Sequence, residues 1–561
     1  MAKGSGGAAV VEALRQEGVT HVFGVIGTAT LEIFDALYDT ADITYVGVRH
    51  EQNAVHMADG YARIRGRPGV VLAGQPGPGA TNLVTGVAEA RLAFSPVVVI
   101  AGHTVSDQLD RNTFQEIDQQ ALFAPITKRT LTVHRADRIP EYLREAFRTS
   151  QAGRKGPVVV NIPGDLLAQQ IELSYVPSSD SVGVATRASA AELERAATLL
   201  NSAKRPLVIA GAGVKWGKAS HELAALAEAM NAPVTASAGN GDVLPNDHPL
   251  YVGQVGPRGN EVATELARTA DVILAVGTRL GYNTTLFKPE NLNADARIIH
   301  VDIEPTAVGR YFRAELAIAA DAGATLEALR PLVEQNEDRA SWVADAQAGR
   351  AALLERRAER ARDVTNPLHP LTVFTSVQEA LPRNAIVTVD TGTISLQATD
   401  VMLTFEPPAL LTPLDFGLVG FSHAAGLGAK AAAPDRPVVS IMGDGGFGMS
   451  MVEIGTALAA GLPTVTVVLN NGCWGAEKAY QRDFFGGRYV GADILNPAFD
   501  EVARAFGARG VTAGTPTEIT SAVAEGLASG EPTVVEVAVD PDTMTSFRRD
   551  SFPHRTPPER A

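Results

Sequence analysis

The sequence predicts an α/β protein of three doubly wound domains with mainly parallel sheets. Three observations predict it. The chain has 561 residues, too many for one hydrophobic core. Its composition, 45% hydrophobic and 20% charged with 53 Gly and 33 Pro, is that of an ordered globular chain. Short apolar runs ending in Gly or Pro alternate with helix-like stretches, the pattern of parallel strands wrapped by helices.

The first domain is expected over residues 1–174. Helix-like stretches at Val10–Glu17 and Leu31–Tyr38 alternate with apolar runs at Val70–Gly74, Val97–Gly102 and Val158–Pro163. Tyr175–Ser181 holds Pro, Ser and Asp and little that packs, so a linker is expected there. A second α/β domain spans 182–335, with strands at Pro206–Ala210, Asp271–Val276 and Arg297–Val301 and a helix at Ser220–Met230. Its turn Gly211-Ala212-Gly213 resembles a dinucleotide loop, but the third glycine comes four residues later, at Gly217, not three. An ordinary tight strand-to-helix turn fits it better than a nucleotide site. Residues 334–364, rich in Ala, Arg and Glu, read as a solvated helix bridging two domains. A third domain spans 366–541, with strands at Ala385–Val389, Pro437–Met442, Thr464–Leu469 and Thr533–Val537; 542–561 form a tail. The first and third segments share size and pattern, as a duplication would leave them.

The net charge of −15 and the lack of a long basic run disfavour nucleic acid and anionic membrane as partners, although a local basic pocket can still hold an anionic substrate. The single cysteine, Cys473, excludes an intrachain disulfide and a cysteine-only metal cluster and points to a reducing compartment. Residues Met1–Gly7 lack the apolar core of a signal peptide, and no stretch reaches the ~20 apolar residues of a membrane helix. A soluble cytoplasmic protein is expected.

The third segment carries the main chemical signal. The apolar run Val438–Met442 enters Gly443-Asp444-Gly445-Gly446, and Val465–Leu469 enters Asn470-Asn471. Both polar clusters therefore fall at the carboxyl ends of expected parallel strands, where open α/β sheets bind ligands. One carboxylate (Asp444), one amide oxygen (Asn471) and a backbone carbonyl leave a hard cation free positions for phosphate oxygens, as Mg²⁺ prefers. The glycines Gly443, Gly445 and Gly446 let the backbone approach a diphosphate. Taken singly, Gly443–Gly445 also fits a plain turn and Asn470-Asn471 a plain loop.

Together, with 24 residues between Gly445 and Asn470, they match a signature of thiamine diphosphate (ThDP) enzymes. From Ala8 to about Val539 the chain resembles the acetolactate synthase-like branch of that superfamily. The resemblance implies domains in the order pyrimidine-binding, central and diphosphate-binding. It also implies a homodimer or homotetramer whose active sites form between subunits, ThDP with Mg²⁺ as cofactors, and FAD or ADP as an open question for the central domain. Arg49-His50-Glu51-Gln52-Asn53-Ala54 resembles a strand-end motif whose glutamate, here Glu51, hydrogen-bonds the cofactor's aminopyrimidine ring. A carboxyl held in a partly buried site suits such proton sharing.

Gly24-Val25-Ile26-Gly27-Thr28 resembles the loop facing the reacting carbon, so Gly27 and Thr28 are candidate catalytic positions. Gly77-Pro78-Gly79-Ala80-Thr81-Asn82 resembles a cofactor segment, giving Gly79 and Asn82. Phe114-Gln115-Glu116-Ile117-Asp118 resembles an active-site segment, which implies that Gln115 points at the substrate or the cofactor intermediate. In the third domain the resemblance places Val419 beneath the cofactor's bend, where methionine is usual. It assigns a backbone carbonyl ligand for the metal to Cys473, whose thiol need not react.

Substrate class is read from Trp474-Gly475-Ala476-Glu477-Lys478 and Phe547-Arg548-Arg549-Asp550, which look like segments of sulfoacetaldehyde acetyltransferases. That resemblance implies cleavage of a sulfonated aldehyde with phosphate, giving acetyl phosphate and sulfite. Arg548 and Arg549 are candidate anion ligands, because a guanidinium grips an oxyanion with two parallel hydrogen bonds; Lys478 and Lys128 are further candidates. An acetolactate synthase-like carboligase or a decarboxylase acting on pyruvate or another 2-oxo acid is the alternative. A binding protein that kept the fold without catalysis is disfavoured by the presence of Glu51, Asp444 and Asn471.

Overall fold

The computed structural model describes residues 3–178, 185–257, 259–413, 415–544 and 554–555. The chain divides into two compact units. One comprises Met1–Val184, His423–Asp435 and Ser450–Pro463; the other comprises Ala185–Ser422, Arg436–Met449 and Thr464–Ala561.

Three six-stranded sheets, all of parallel pairs, organise these units. The first runs Thr44–Gly47, His21–Val25, Gly69–Ala73, Val97–His103, Val158–Pro163, Arg129–Thr132 across the sheet. Numbered along the chain, that order is 2-1-3-4-6-5. The third sheet runs Leu410–Leu411, Ile386–Val389, Val438–Gly443, Val465–Asn470, Thr533–Ala538, Arg509–Thr512, which is the same order. Shared topology extends the likeness of size and pattern read from the two segments. The central strands every sheet needs, such as Gly69–Ala73 and Val158–Pro163, are buried along their whole length. Helices cover both faces of a parallel sheet, so such strands are continuous apolar runs.

The core of the first unit gathers Phe23, Met57 and Val71 with Ala424, Leu427, Ala457 and Leu462, from segments far along the chain. Glycines set the closeness of that packing. A β-carbon on Gly428 would fall on the carbonyl of Met57, and one on Gly60 on that of Ala425. Within the segment 366–541, residues 423–435 and 450–463 pack with the first sheet. The expected linker is also more ordered at its start than its composition suggests. Tyr175 Oη and the Ser178 amide each donate 2.6 Å hydrogen bonds to Glu17 Oε1.

In the second unit the central sheet runs Tyr251–Gln254, Val234–Ala236, Pro206–Ala210, Val272–Val276, Arg297–Asp302, Leu316–Ala319, chain order 3-2-1-4-5-6. The turn after Pro206–Ala210 packs against the turn after Val272–Val276. β-carbons on Gly211 and Gly213 would each stand 2.5 Å from Gly277 atoms, which accounts for both glycines by close packing. Lys215 in the same turn forms a 2.7 Å ion pair with buried Asp242, whose other oxygen accepts the amides of Ala409 and Leu410. Helix Ala340–Arg362 is not solvated all round. It buries Trp342, Arg350 and Leu353, donates Trp342 Nε1 to Pro206 O, and grips Asp400 through Arg357. Among the described residues, no helix is long and apolar enough to cross a membrane.

Candidate active site

The segments that follow four strands of the first sheet at their carboxyl ends carry the residues singled out there. After Thr44–Gly47 the chain turns at once into helix Glu51–Arg65, so Glu51 opens a helix and does not end a strand. His50 caps that helix by accepting the Gln52 amide. Glu51 is 9% exposed, and its Oε2 accepts a 2.9 Å hydrogen bond from Asn82 Nδ2. Gly79 faces Oε1 of the same carboxylate, and a β-carbon there would stand 3.4 Å from it.

The first turn of this helix is anchored by Glu453, which is fully buried. Its carboxylate accepts the Arg49 amide at 3.1 Å, Asn53 Nδ2 at 2.9 Å and the Thr456 hydroxyl at 2.5 Å. Arg49 and Asn53 flank Glu51 on either side, so a carboxylate some four hundred residues along the chain fixes its backbone. Gly27 and Gly74 meet back to back with no room for a side chain on either, and Thr28 Oγ1 donates to Gln75 Oε1 at 3.2 Å. Gly77, at φ +57°, lies against the carbonyl of Gln115. Buried Gln119 ties these loops together: it accepts the Gly77 amide and donates to Gly102 O and Asn161 Oδ1.

In the second unit, the ends of three adjacent strands of the third sheet enclose a cavity of about 120 Å³. Its walls include Asp390, Val419, Gly443, Asp444, Asn471 and Trp474. Asp444 and Asn471 thus share one cavity, together with Gly445, Gly446 and Cys473. Asp444 opens the helix Asp444–Ser450, a position that favours a negative charge. Burial raises its pKa above the usual carboxylate value, against hydrogen bonds led by a 2.7 Å one from Asn496 Nδ2. No cationic side chain lines the described cavity. A carboxylate buried without positive charge, an amide oxygen beside it and glycine-lined backbone fit a divalent cation carrying a diphosphate. Among the described residues no group of three His, Cys, Asp or Glu could hold a metal. The set proposed from the sequence has one carboxylate and draws its other protein oxygens from Asn471 and a backbone carbonyl.

A β-carbon on Gly446 would collide with Asp390 Oδ2 and come within 3.3 Å of Val419 Cγ1, while one on Gly445 would stand 2.6 Å from the Trp474 ring. The absence of side chains there keeps the strand-to-helix turn open. Sequence reading missed Asp390, Asn496, Glu453 and Gln119. Asp390 follows the apolar strand Ile386–Val389 as Asp444 follows its own, so its strand-end position was the available signal. It is fully buried, its oxygens accept the Gly420 and Phe421 amides, and burial pushes its pKa to about 6.

Two anion candidates are corrected. Lys478 pairs with Asp493 at 2.5 Å and lies over the Tyr489 ring, so its charge is already engaged. Lys128 donates to Ala152 O, and its amide bonds Pro157 O just before Val158–Pro163. It therefore stands at the amino end of the first sheet, opposite the loops of Glu51. Arg548 and Arg549 lie outside the described residues. The Cys473 thiol, 3.6 Å from Met544 Sδ, is pushed by burial to a pKa of about 11, which makes it a poor nucleophile.

Fold and site define a class, the α/β enzymes that bind a diphosphate cofactor at strand ends. Comparison with known families makes it specific. Residues 4–122 match the thiamine pyrophosphate enzyme N-terminal TPP binding domain, 193–329 the central domain, and 390–537 the C-terminal TPP binding domain. The chain belongs to the thiamine pyrophosphate enzymes. It is 34% identical to a sulfoacetaldehyde acetyltransferase of Castellaniella defragrans, covering 97% of this chain and 94% of that protein. It is also 34% identical to a probable acetolactate synthase large subunit of Methanocaldococcus jannaschii, covering 96% and 92%. A third relative, the acetolactate synthase isozyme 3 large subunit of Escherichia coli, is 34% identical over 93% and 92%.

Proposed function

We propose that this ThDP-dependent enzyme cleaves sulfoacetaldehyde with phosphate, giving acetyl phosphate and sulfite. The observation that carries the reading is Trp474-Gly475-Ala476-Glu477-Lys478, which lies beside the cavity of Asp444 and Asn471 and resembles the acetyltransferase segment. A relative of that name matches the chain along nearly its whole length. When bound, ThDP supplies the carbon nucleophile for a carbonyl and stores the electron pair released when the neighbouring bond breaks. Asp444, Asn471 and the Cys473 carbonyl would hold Mg²⁺ and through it the diphosphate, with Gly443, Gly445 and Gly446 admitting it and Val419, which lines the same cavity, giving the cofactor an apolar contact. Glu51 holds or releases a proton at Oε1, the oxygen left open by the Asn82 bond to Oε2. Gly27, Thr28 and Gln115 border the space for the substrate. Arg548 and Arg549 are the cations proposed for the sulfonate and phosphate, and a homodimer or homotetramer in the cytoplasm is the proposed working form.

Because acetolactate synthases match equally well, a carboligase acting on pyruvate is the second reading. Purified enzyme with ThDP and Mg²⁺ is given sulfoacetaldehyde and phosphate, or pyruvate alone. Sulfite release that requires phosphate supports the acetyltransferase. Carbon dioxide or acetolactate from pyruvate, with no sulfite in the first tube, replaces it with the carboligase.

A further inference from the structure

The loop between strand Val97–His103 and helix Gln119–Phe123 holds three non-glycine residues in the left-handed region: Asp110 at φ +63°, Asn112 at +55° and Gln115 at +62°. Side chains rarely adopt that conformation, and it persists only where surrounding contacts enforce it. The enforcing contact is the carboxylate of Glu116. Oε1 accepts the Asp110 amide at 2.6 Å and Oε2 the Thr113 amide at 3.0 Å, and the Arg111 and Asn112 amides also turn toward it. Four successive amides thus wrap one anion, as in a backbone nest. These bonds, that of Thr113 foremost, hold the Glu116 carboxyl below its ordinary pKa despite its exposure.

The next residues are fixed from the other side. Asp118 caps the following helix through the Ala121 amide, and Gln119 is buried in the network that reaches Gly77. Gln115 stands between these anchors, its carbonyl against Gly77.

We propose that Glu116 is a positioning residue, whose carboxylate winds the 110–113 backbone around itself and so holds Gln115 in its left-handed pose at the carboxyl end of the first sheet. The catalytic part of this proposal rests on Gln115 belonging to the active site. The structural part does not.

The test uses full-length holoenzyme and the variants Glu116→Ala, Glu116→Gln, Gln115→Ala and Gln115→Ala/Glu116→Ala. Hydrogen exchange of peptides spanning 106–118 is read first. Exchange at the 110–113 amides is expected to quicken by roughly 10- to 100-fold in Glu116→Ala and by less in Glu116→Gln, which keeps one acceptor oxygen. Unchanged exchange in Glu116→Ala overturns the proposal whatever the kinetics show. With the substrate the enzyme is found to use, Glu116→Ala is expected to raise KM more than it lowers kcat, and to add nothing in the Gln115→Ala background. Additive effects of the two substitutions overturn the claim that Glu116 acts through Gln115. A Gln115→Ala enzyme with normal kinetics, alongside quickened exchange in Glu116→Ala, instead removes Gln115 from the active site and leaves the structural part standing.

Discussion

Asn82 Nδ2 donates a 2.9 Å hydrogen bond to Glu51 Oε2, joining the helix that follows the second strand of the first sheet to the helix Pro78–Leu92 that follows the third. The bond orients a carboxylate whose other oxygen faces the bare α-carbon of Gly79. Glu51→Gln keeps the shape and removes the proton acceptor, so kcat is expected to fall by about 10²- to 10⁴-fold with the fold intact. Asn82→Ala frees the carboxylate without removing it and is expected to cost roughly 10- to 100-fold. Rates near wild type in Glu51→Gln, measured with saturating ThDP, would remove it from the chemistry.

Asn496 is the partner through which the metal proposal can be tested without touching a proposed ligand. Its amide holds Asp444 Oδ2 at 2.7 Å. Asn496→Ala is expected to weaken Mg²⁺-dependent ThDP binding by about 10- to 100-fold, the usual effect of losing a residue behind a metal ligand. Titration calorimetry with ThDP at several Mg²⁺ concentrations reads it, and equal affinity in both proteins would show that the Asn496 bond plays no part in holding the ion.

Glu453 is expected to matter for stability as well as for Glu51. Glu453→Ala strands the Arg49 amide and the Asn53 side chain inside the protein, at a cost of about 2–4 kcal/mol. Chemical denaturation measures that loss; a change within error would mean that water replaces the carboxylate.

Buried His423 and His56 give the acid side of the stability profile a definite sign. Burial lowers their pKa values to about 4 and about 3, from an ordinary 6.5. Below pH 6.5 the unfolded chain takes up protons that the folded one refuses. The stability tied to neutral imidazole is therefore complete above pH 6.5 and shrinks as pH falls toward the folded values, by about 2 kcal/mol per histidine at pH 5. Denaturant midpoints from pH 7.5 to 5 follow this, and His423→Gln is expected to flatten the slope. A slope as steep in that variant would assign the acid sensitivity to other groups.

What the sequence revealed and what it hid separate along physical lines. Val158–Pro163 and Val438–Met442 were legible because a strand covered on both faces is a continuous apolar run. Leu410–Leu411 and Arg509–Thr512 escaped notice because they are edge strands, one only two residues long and the other opening with a charge. Asp444 and Asn471 were legible as strand-end polar clusters. Glu453 was not, because nothing local distinguishes a helical glutamate on the surface from one buried against a helix four hundred residues upstream. Lys478 misled because a basic side chain near a site reads as an anion ligand until its partner, Asp493, is seen.

The core of the first unit also sets a schedule for synthesis. Arg49 and Glu453 are separated by 404 positions, and at a translation rate of 5–20 residues per second roughly 20–80 s pass between them on the ribosome. Throughout that interval the helix face that later receives Ala424, Leu427, Ala457 and Leu462 has no cover. Apolar surface left open on a nascent chain is a target for chaperones and for aggregation, so slower translation is expected to lengthen that exposure.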